Sequence, residues 1–310
     1  MSEAIIEARG LTKWYGAVIG LVDVNVRVAP GVTGLLGPNG AGKSTFLKLV
    51  TGQLRPSQGQ LTVLGERPWA NPRLYQRLGV CPDSDGFWEG LSGLEFVATL
   101  ARISGLPRGE ARTRAEEVLT RVGMAGAMHR VVTGYSRGMR QRTKLAQALI
   151  HRPALLILDE PLTGADPVGR RELRALIAGL AREGTHVLLS SHVLHEVEEL
   201  TQRVVLIHRG RVVADGQIDE IRALLDEHPH RLLVRCQRPR ALASALLREE
   251  ALQVVGLELE GEERLVLETR APAACYTALP QLLLREGGEV HELRAEDEDL
   301  DAVFRYLVRG

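Results

Sequence analysis

Cysteine is scarce in this chain: Cys81, Cys236 and Cys275 are spread through 310 residues. None forms a C-x-x-C pair, so the spacing argues against a disulfide scaffold or a zinc module and fits a reducing compartment. Long apolar runs are missing too. Stretches such as Ala154 to Leu158 have strand length, whereas a membrane-spanning helix needs roughly 18–20 continuous apolar residues. The start, MSEAIIEAR, has no basic segment followed by an apolar run, so no secretory signal is expected. Neither sign of charge is in excess, with 39 Lys+Arg against 39 Asp+Glu. A protein that binds nucleic acid by neutralising phosphates usually carries a basic surplus, and this one has none overall. Lysine is especially sparse, with only Lys13, Lys43, Lys48 and Lys144.

What is present has the balance of a globular protein, 45% apolar and 25% charged. That composition excludes a disordered chain, and the length suits one large domain or two ordinary ones. The first 30 residues read as antiparallel strands, and Val22 to Val28 alternates strictly. Val32 to Leu36 then enters a glycine-rich turn that opens a helix from Ser44. A mostly helical region follows, from about 83 to 135. Two apolar strands, Ala154 to Leu158 and His186 to Ser190, flank a helical pattern near Arg170–Arg182, the mark of a parallel sheet buried on both faces. Val204 to Ala214 reads as a hairpin around Arg209-Gly210.

The glycine-rich turn carries chemistry. Gly37-Pro38-Asn39-Gly40-Ala41-Gly42-Lys43-Ser44-Thr45 is a full G-x-x-x-x-G-K-[ST] match between a strand and a helix. Its glycines let the backbone wind round phosphates with N–H groups pointing inward, and the helix start adds a positive dipole end. Lys43 is placed for the β- and γ-phosphates and the Ser44 hydroxyl for Mg²⁺. This is a nucleoside triphosphate site. The strand Ala154–Leu158 ends in Asp159-Glu160: a buried strand would deliver Asp159 to the Mg²⁺ shell and Glu160 to the attacking water. His192 ends the next strand and would face the same crevice.

With Tyr135–Arg142 added, the chain resembles the nucleotide-binding subunit of ATP-binding cassette (ABC) transporters, of the type found in drug-resistance and sodium-export systems. The family signature is usually L-S-G-G-Q; here it reads YSRGM, Tyr135 to Met139. The resemblance covers about residues 4–220. It implies that Ser136, Arg137, Gly138 and Met139 contact ATP held on a second copy of the chain, and that Asp166, in Gly164–Pro167, sits at the dimer seam. It further implies an aromatic stacked on adenine, Tyr15 ahead of its neighbour Trp14. One position departs from the pattern. Where the family has glutamine this chain has LGVCPD, ending at Asp83, with Asp85 as the other possible alignment. A carboxylate there can still ligate Mg²⁺, but when ionised it cannot donate a hydrogen bond.

The fold expected is an α/β P-loop ABC cassette over 1–220, with an antiparallel β subdomain and a helical subdomain at about 83–135. After a linker at 221–230, a small ferredoxin-like α+β domain is expected at 231–310, closing with an acidic stretch at Glu296–Asp301 and a helix ending in Ala302–Val308. The function implied is an ATPase using ATP and Mg²⁺, dimerising with itself and driving polytopic membrane permease subunits, without nucleic acid as a partner. Its place would be cytoplasmic, on the inner membrane face through that permease. The competing reading is a soluble ABC ATPase acting on nucleic acid or ribosomes.

Overall fold

Alternating apolar and polar residues build the first layer. β1 (Ile6–Tyr15) and β2 (Val18–Val28) form an antiparallel hairpin whose inward side chains, among them Ile6, Leu11, Leu21 and Val24, are buried. β3 (Val32–Leu36) leaves this layer for a second sheet and leads through the glycine-rich turn into α1 (Lys43–Val50). β4 (Gln58–Val63) returns to pair with β1, completing a three-stranded sheet of order β2-β1-β4. β4 is absent from the sequence-based expectation, because only its last three residues carry buried or half-buried side chains.

The second sheet has six strands in the order β5-β6-β7-β3-β8-β9. After α2 (Pro72–Tyr75) comes β5 (Leu78–Cys81), then the helical region of α3 (Gly93–Ile103), α4 (Arg108–Arg121) and α5 (Arg137–Ala148). β6 (Leu155–Leu158), α6 (Pro167–Arg182), β7 (His186–Ser191), α7 (Leu194–Glu198), β8 (Arg203–His208) and β9 (Arg211–Gln217) complete the unit. All neighbours in this sheet are parallel except β8 and β9, which form the expected hairpin. Its turn residues have φ of 48° at Arg209 and 77° at Gly210, as a tight two-residue hairpin requires. One apolar core lies between the two sheets, and Phe46, Leu47, Leu49 and Val50 of α1 are buried in it. The phosphate loop is thereby anchored at both ends, on β3 and on a helix held by packing.

The structure, a computed structural model, describes residues 4–221 and 229–295. The chain divides into two compact units, Met1–Ile218 and Asp219–Gly310. The second unit has its own core and runs β10 (His230–Cys236), α8 (Pro239–Leu246), β11 (Val254–Glu260), β12 (Arg264–Thr269), α9 (Pro272–Leu282) and β13 (Val290–Ala295). Its fully antiparallel sheet has the order β11-β12-β10-β13, the split βαβ arrangement of ferredoxin-like domains. β10 begins at His230, one residue before the expected start of the second domain. Most of the linker, the acidic stretch Glu296–Asp301 and the closing helix lie outside the described residues. No helix among the described residues is long and apolar enough to cross a membrane.

Candidate functional site

Three parallel strands, β3, β6 and β7, end side by side, so Gly37, Asp159-Glu160 and His192 leave the sheet at one edge. Ligands of open α/β sheets bind at this carboxyl edge. Gly37 admits no side chain, since a Cβ there would lie 2.3 Å from the Ile207 carbonyl oxygen. Gly42, at φ 112°, turns the backbone into α1 in a conformation L side chains rarely adopt. The loop encloses a cavity of about 430 Å³ lined by Pro38–Thr45 with Ile19, Gly20, Asp83, Asp159, Glu160, Arg209 and Gly210.

Lys43 is only 6% exposed. Its ammonium donates to the carbonyls of Gly37 at 2.6 Å and Pro38 at 3.3 Å. It also lies 3.4 Å from Glu160 Oε1, an ion pair outside hydrogen-bond geometry that leaves that buried oxygen with no hydrogen bond. The other Glu160 oxygen is fully engaged: Oε2 meets His192 Nδ1 at 2.9 Å and accepts from Thr163 Oγ1 at 3.1 Å. Glu160 itself sits at φ 48°, in the left-handed region. Its N–H donates to Ser190 Oγ at 2.9 Å, and the Ser190 hydroxyl donates in turn to Asp159 Oδ1 at 2.6 Å. One hydroxyl from β7 therefore organises both carboxylates at the end of β6. Chemically this is a carboxylate held beside a buried ammonium, with a second carboxylate, a hydroxyl and a ring of backbone N–H groups in reach.

Asp83 and Asp85 part company in the structure. Asp83 lines the cavity with Ser44 and Asp159, while Asp85 pairs with Arg140 at 3.2 Å and Lys144 at 3.2 Å. Desolvation pushes the Asp85 carboxyl upward, but hydrogen bonds from Lys144 and Arg140 outweigh it and hold the group below its usual range. Tyr15 packs over Gly20, and its hydroxyl lies 3.4 Å from Thr45 Oγ1. Trp14 shows no such approach, and its backbone N–H donates to Ser57 Oγ. Cys81, at the end of β5, is fully buried, and burial pushes its thiol up to about 12.

The signature residues are not brought to this cavity. Ser136 caps α5, accepting from Met139 N at 3.3 Å. The Arg137 side chain lies against Gly164 so closely that a Cβ there would fall 2.1 Å from its Nε, while Gly138 faces open space. Asp166 caps α6, accepting from Gly169 N at 3.2 Å. Ser190, Thr163 and Arg209 are site residues that sequence reasoning missed. The signal for Ser190 was a hydroxyl at the end of an otherwise apolar buried strand; Thr163 and Arg209 had none.

Residues 21–163 match the ABC transporter family. Over 309 residues the chain is 31% identical to the bacitracin transport ATP-binding protein BcrA of Bacillus licheniformis, covering 99% of this chain and 98% of that one. The chain belongs to the ABC transporter ATP-binding proteins. Within that family it is 36% identical over 247 residues to the daunorubicin/doxorubicin resistance ATP-binding protein DrrA of Streptomyces peucetius, covering 79% and 75% of the two chains. Among solved structures, the ATP-binding subunit of an ABC transporter superposes with a TM-score of 0.64 at 29% identity, covering 71% of this chain and 92% of that one. CbiO1 of Clostridium perfringens, part of the ABC transporter complex cbiONQ, gives 0.64 at 26% identity, covering 80% and 97%. The ABC cassette fold of a P-loop ATPase, expected from the motifs, is the fold these neighbours share.

Proposed function

We propose that this chain is the ATP-hydrolysing, energy-coupling subunit of an ABC exporter, dimerising on ATP and driving separate membrane subunits. The observation that carries the reading is the Lys43–Glu160–His192 constellation at the mouth of the phosphate loop. Lys43 is held by two carbonyls and one carboxylate, all weaker partners than a triphosphate. An incoming γ-phosphate draws the ammonium away and leaves Glu160 free to accept a proton from water. His192 Nδ1 steadies the carboxylate, which leaves Nε2 for the γ-phosphate. Tyr15, beside Thr45, supplies an aromatic face for the base.

Ser44, Asp159 and Asp83 fit a hard cation, since all three line the cavity and carry oxygen donors. They would hold Mg²⁺, which offsets charge developing on the transferred phosphoryl group. Ser136–Met139 and Asp166 line no part of this chain's own cavity, which supports their serving a second copy across the seam. The resemblance to bacitracin transport and drug-resistance proteins favours an exporter bound to the inner membrane face through a permease. No observation favours a nucleic-acid or ribosome partner.

Glu160→Gln tests the reading. ATP binding should persist while turnover falls by about 10²–10⁴-fold, and a dimer should accumulate in Mg-ATP by light scattering. Monomeric variant protein at saturating Mg-ATP would overturn the dimer reading. Undiminished turnover would remove Glu160 from its role.

A further inference from the structure

The helix that begins with the signature residues also holds the loop carrying Asp83. Arg140, Lys144 and Gln147 recur along α5 at helical spacing, with Gln141 beside the first, so they project from one side of the helix. Two of them reach the end of β5 and two the loop that follows it. Gln147 Nε2 donates to the Val80 carbonyl at 3.0 Å and Gln141 Nε2 to Cys81 Sγ at 3.6 Å. Lys144 Nζ donates to the Asp83 carbonyl at 2.6 Å and pairs with Asp85 Oδ1 at 3.2 Å. Arg140 takes the other Asp85 oxygen at 3.2 Å.

Lys144 is 5% exposed, and an ammonium that deep is tolerated only with its acceptors in place. Its grip is on the Asp83 backbone. The Asp83 carboxylate has no hydrogen-bond or ion-pair partner among the described residues and lines the phosphate cavity. The loop is therefore clamped to α5 through its main chain while its side chain is left to the nucleotide.

We propose that Lys144 is a positioning residue that makes the Asp83 loop and the start of α5 move as one body, so that nucleotide in this chain's cavity sets the placement of Ser136–Met139. The inference rests on the proposed function, in which those four residues serve the partner's nucleotide. Removing the ammonium frees the Asp83 carbonyl and leaves the loop tied to α5 by the Arg140–Asp85 pair alone, so the loop follows nucleotide while carrying the helix less. Coupling weakens while binding is kept.

The test uses the full chain in the Glu160→Gln background, where turnover does not intervene. Nucleotide affinity of the monomer is measured by fluorescent-ATP titration, and the ATP concentration for half-dimerisation by light scattering. Lys144→Met should bind nucleotide within about twofold of the parent but need about tenfold more ATP to dimerise, and Lys144→Arg should restore the parent midpoint. An unchanged midpoint in Lys144→Met overturns the inference, as does a parallel loss of binding and dimerisation. Should Lys144→Met fail to fold, Asp85→Asn at the exposed end of the clamp carries the test: its midpoint should rise, and a parent-like midpoint overturns the inference. A parent that never dimerises overturns the dimer reading and this inference with it. A dimerising parent beside an unaffected Lys144→Met overturns this inference alone.

Discussion

Ser190 shows how much one hydroxyl can organise. It receives the N–H of Glu160 and gives its own proton to Asp159, so it both fixes a left-handed backbone position and orients the carboxylate next to it. A non-glycine residue at φ 48° persists only where its surroundings over-determine it. Ser190→Ala would strand a part-buried N–H and leave one Asp159 oxygen without its donor. The expected cost is about 1–3 kcal/mol by urea unfolding, with a fall in ATP turnover, and Ser190→Thr should recover most of both. A variant as stable and active as the parent would show that water replaces the hydroxyl.

At the scale of elements, the helical region depends on its ends. α3 starts with a capping box in which Glu95 N donates to Ser92 Oγ at 3.2 Å and the Ser92 N–H donates to Glu95 Oε2 at 2.8 Å. Ser92→Ala should lower stability by about 1 kcal/mol without altering nucleotide affinity, since the cap lies outside the cavity. The backbone and hydroxyl hydrogen bonds from Ser92 hold the Glu95 carboxyl below its ordinary value. A depressed carboxyl contributes stability that is present above its unfolded-state value and is lost as pH falls through its folded one. The melting-temperature difference between Glu95→Gln and the parent should therefore be largest near neutrality and shrink in acid. A pH-independent difference would assign the effect to packing instead. α5 is the contrasting element, because its cap at Ser136 is also the residue proposed to meet the partner's nucleotide.

For the whole molecule, the two units carry separate cores, and every residue lining the phosphate cavity falls within Met1–Ile218. A chain ending at Ile218 should fold, by circular dichroism and cooperative melting, and bind ATP within a few-fold of the full-length affinity. Loss of binding in a folded truncation would make the second unit part of the nucleotide site. The strand–helix–strand–strand–helix–strand succession of that unit is visible in the sequence, whereas its order β11-β12-β10-β13 is a matter of strand pairing.

Chemistry contained in a few consecutive residues could be read without coordinates. The phosphate loop announces itself because its backbone must wrap phosphates within nine residues, and the paired acids at the end of β6 follow because an apolar strand has to stop somewhere polar. The parallel sheet was legible for a similar reason, since strands buried on both faces become continuous apolar runs. Tertiary structure alone decided what depends on distant partners. Whether Asp83 or Asp85 faces the cavity was set by Lys144 and Arg140, more than 50 residues further along the chain. The role of Ser190 as a bridge between two acids came from the pairing of β6 with β7. β4 escaped notice because a strand at the margin of a sheet buries too few side chains to stamp a period on its sequence. Local motifs specify what a loop can bind, whereas the placing of lone side chains around it is a matter of which strands and helices come to lie side by side.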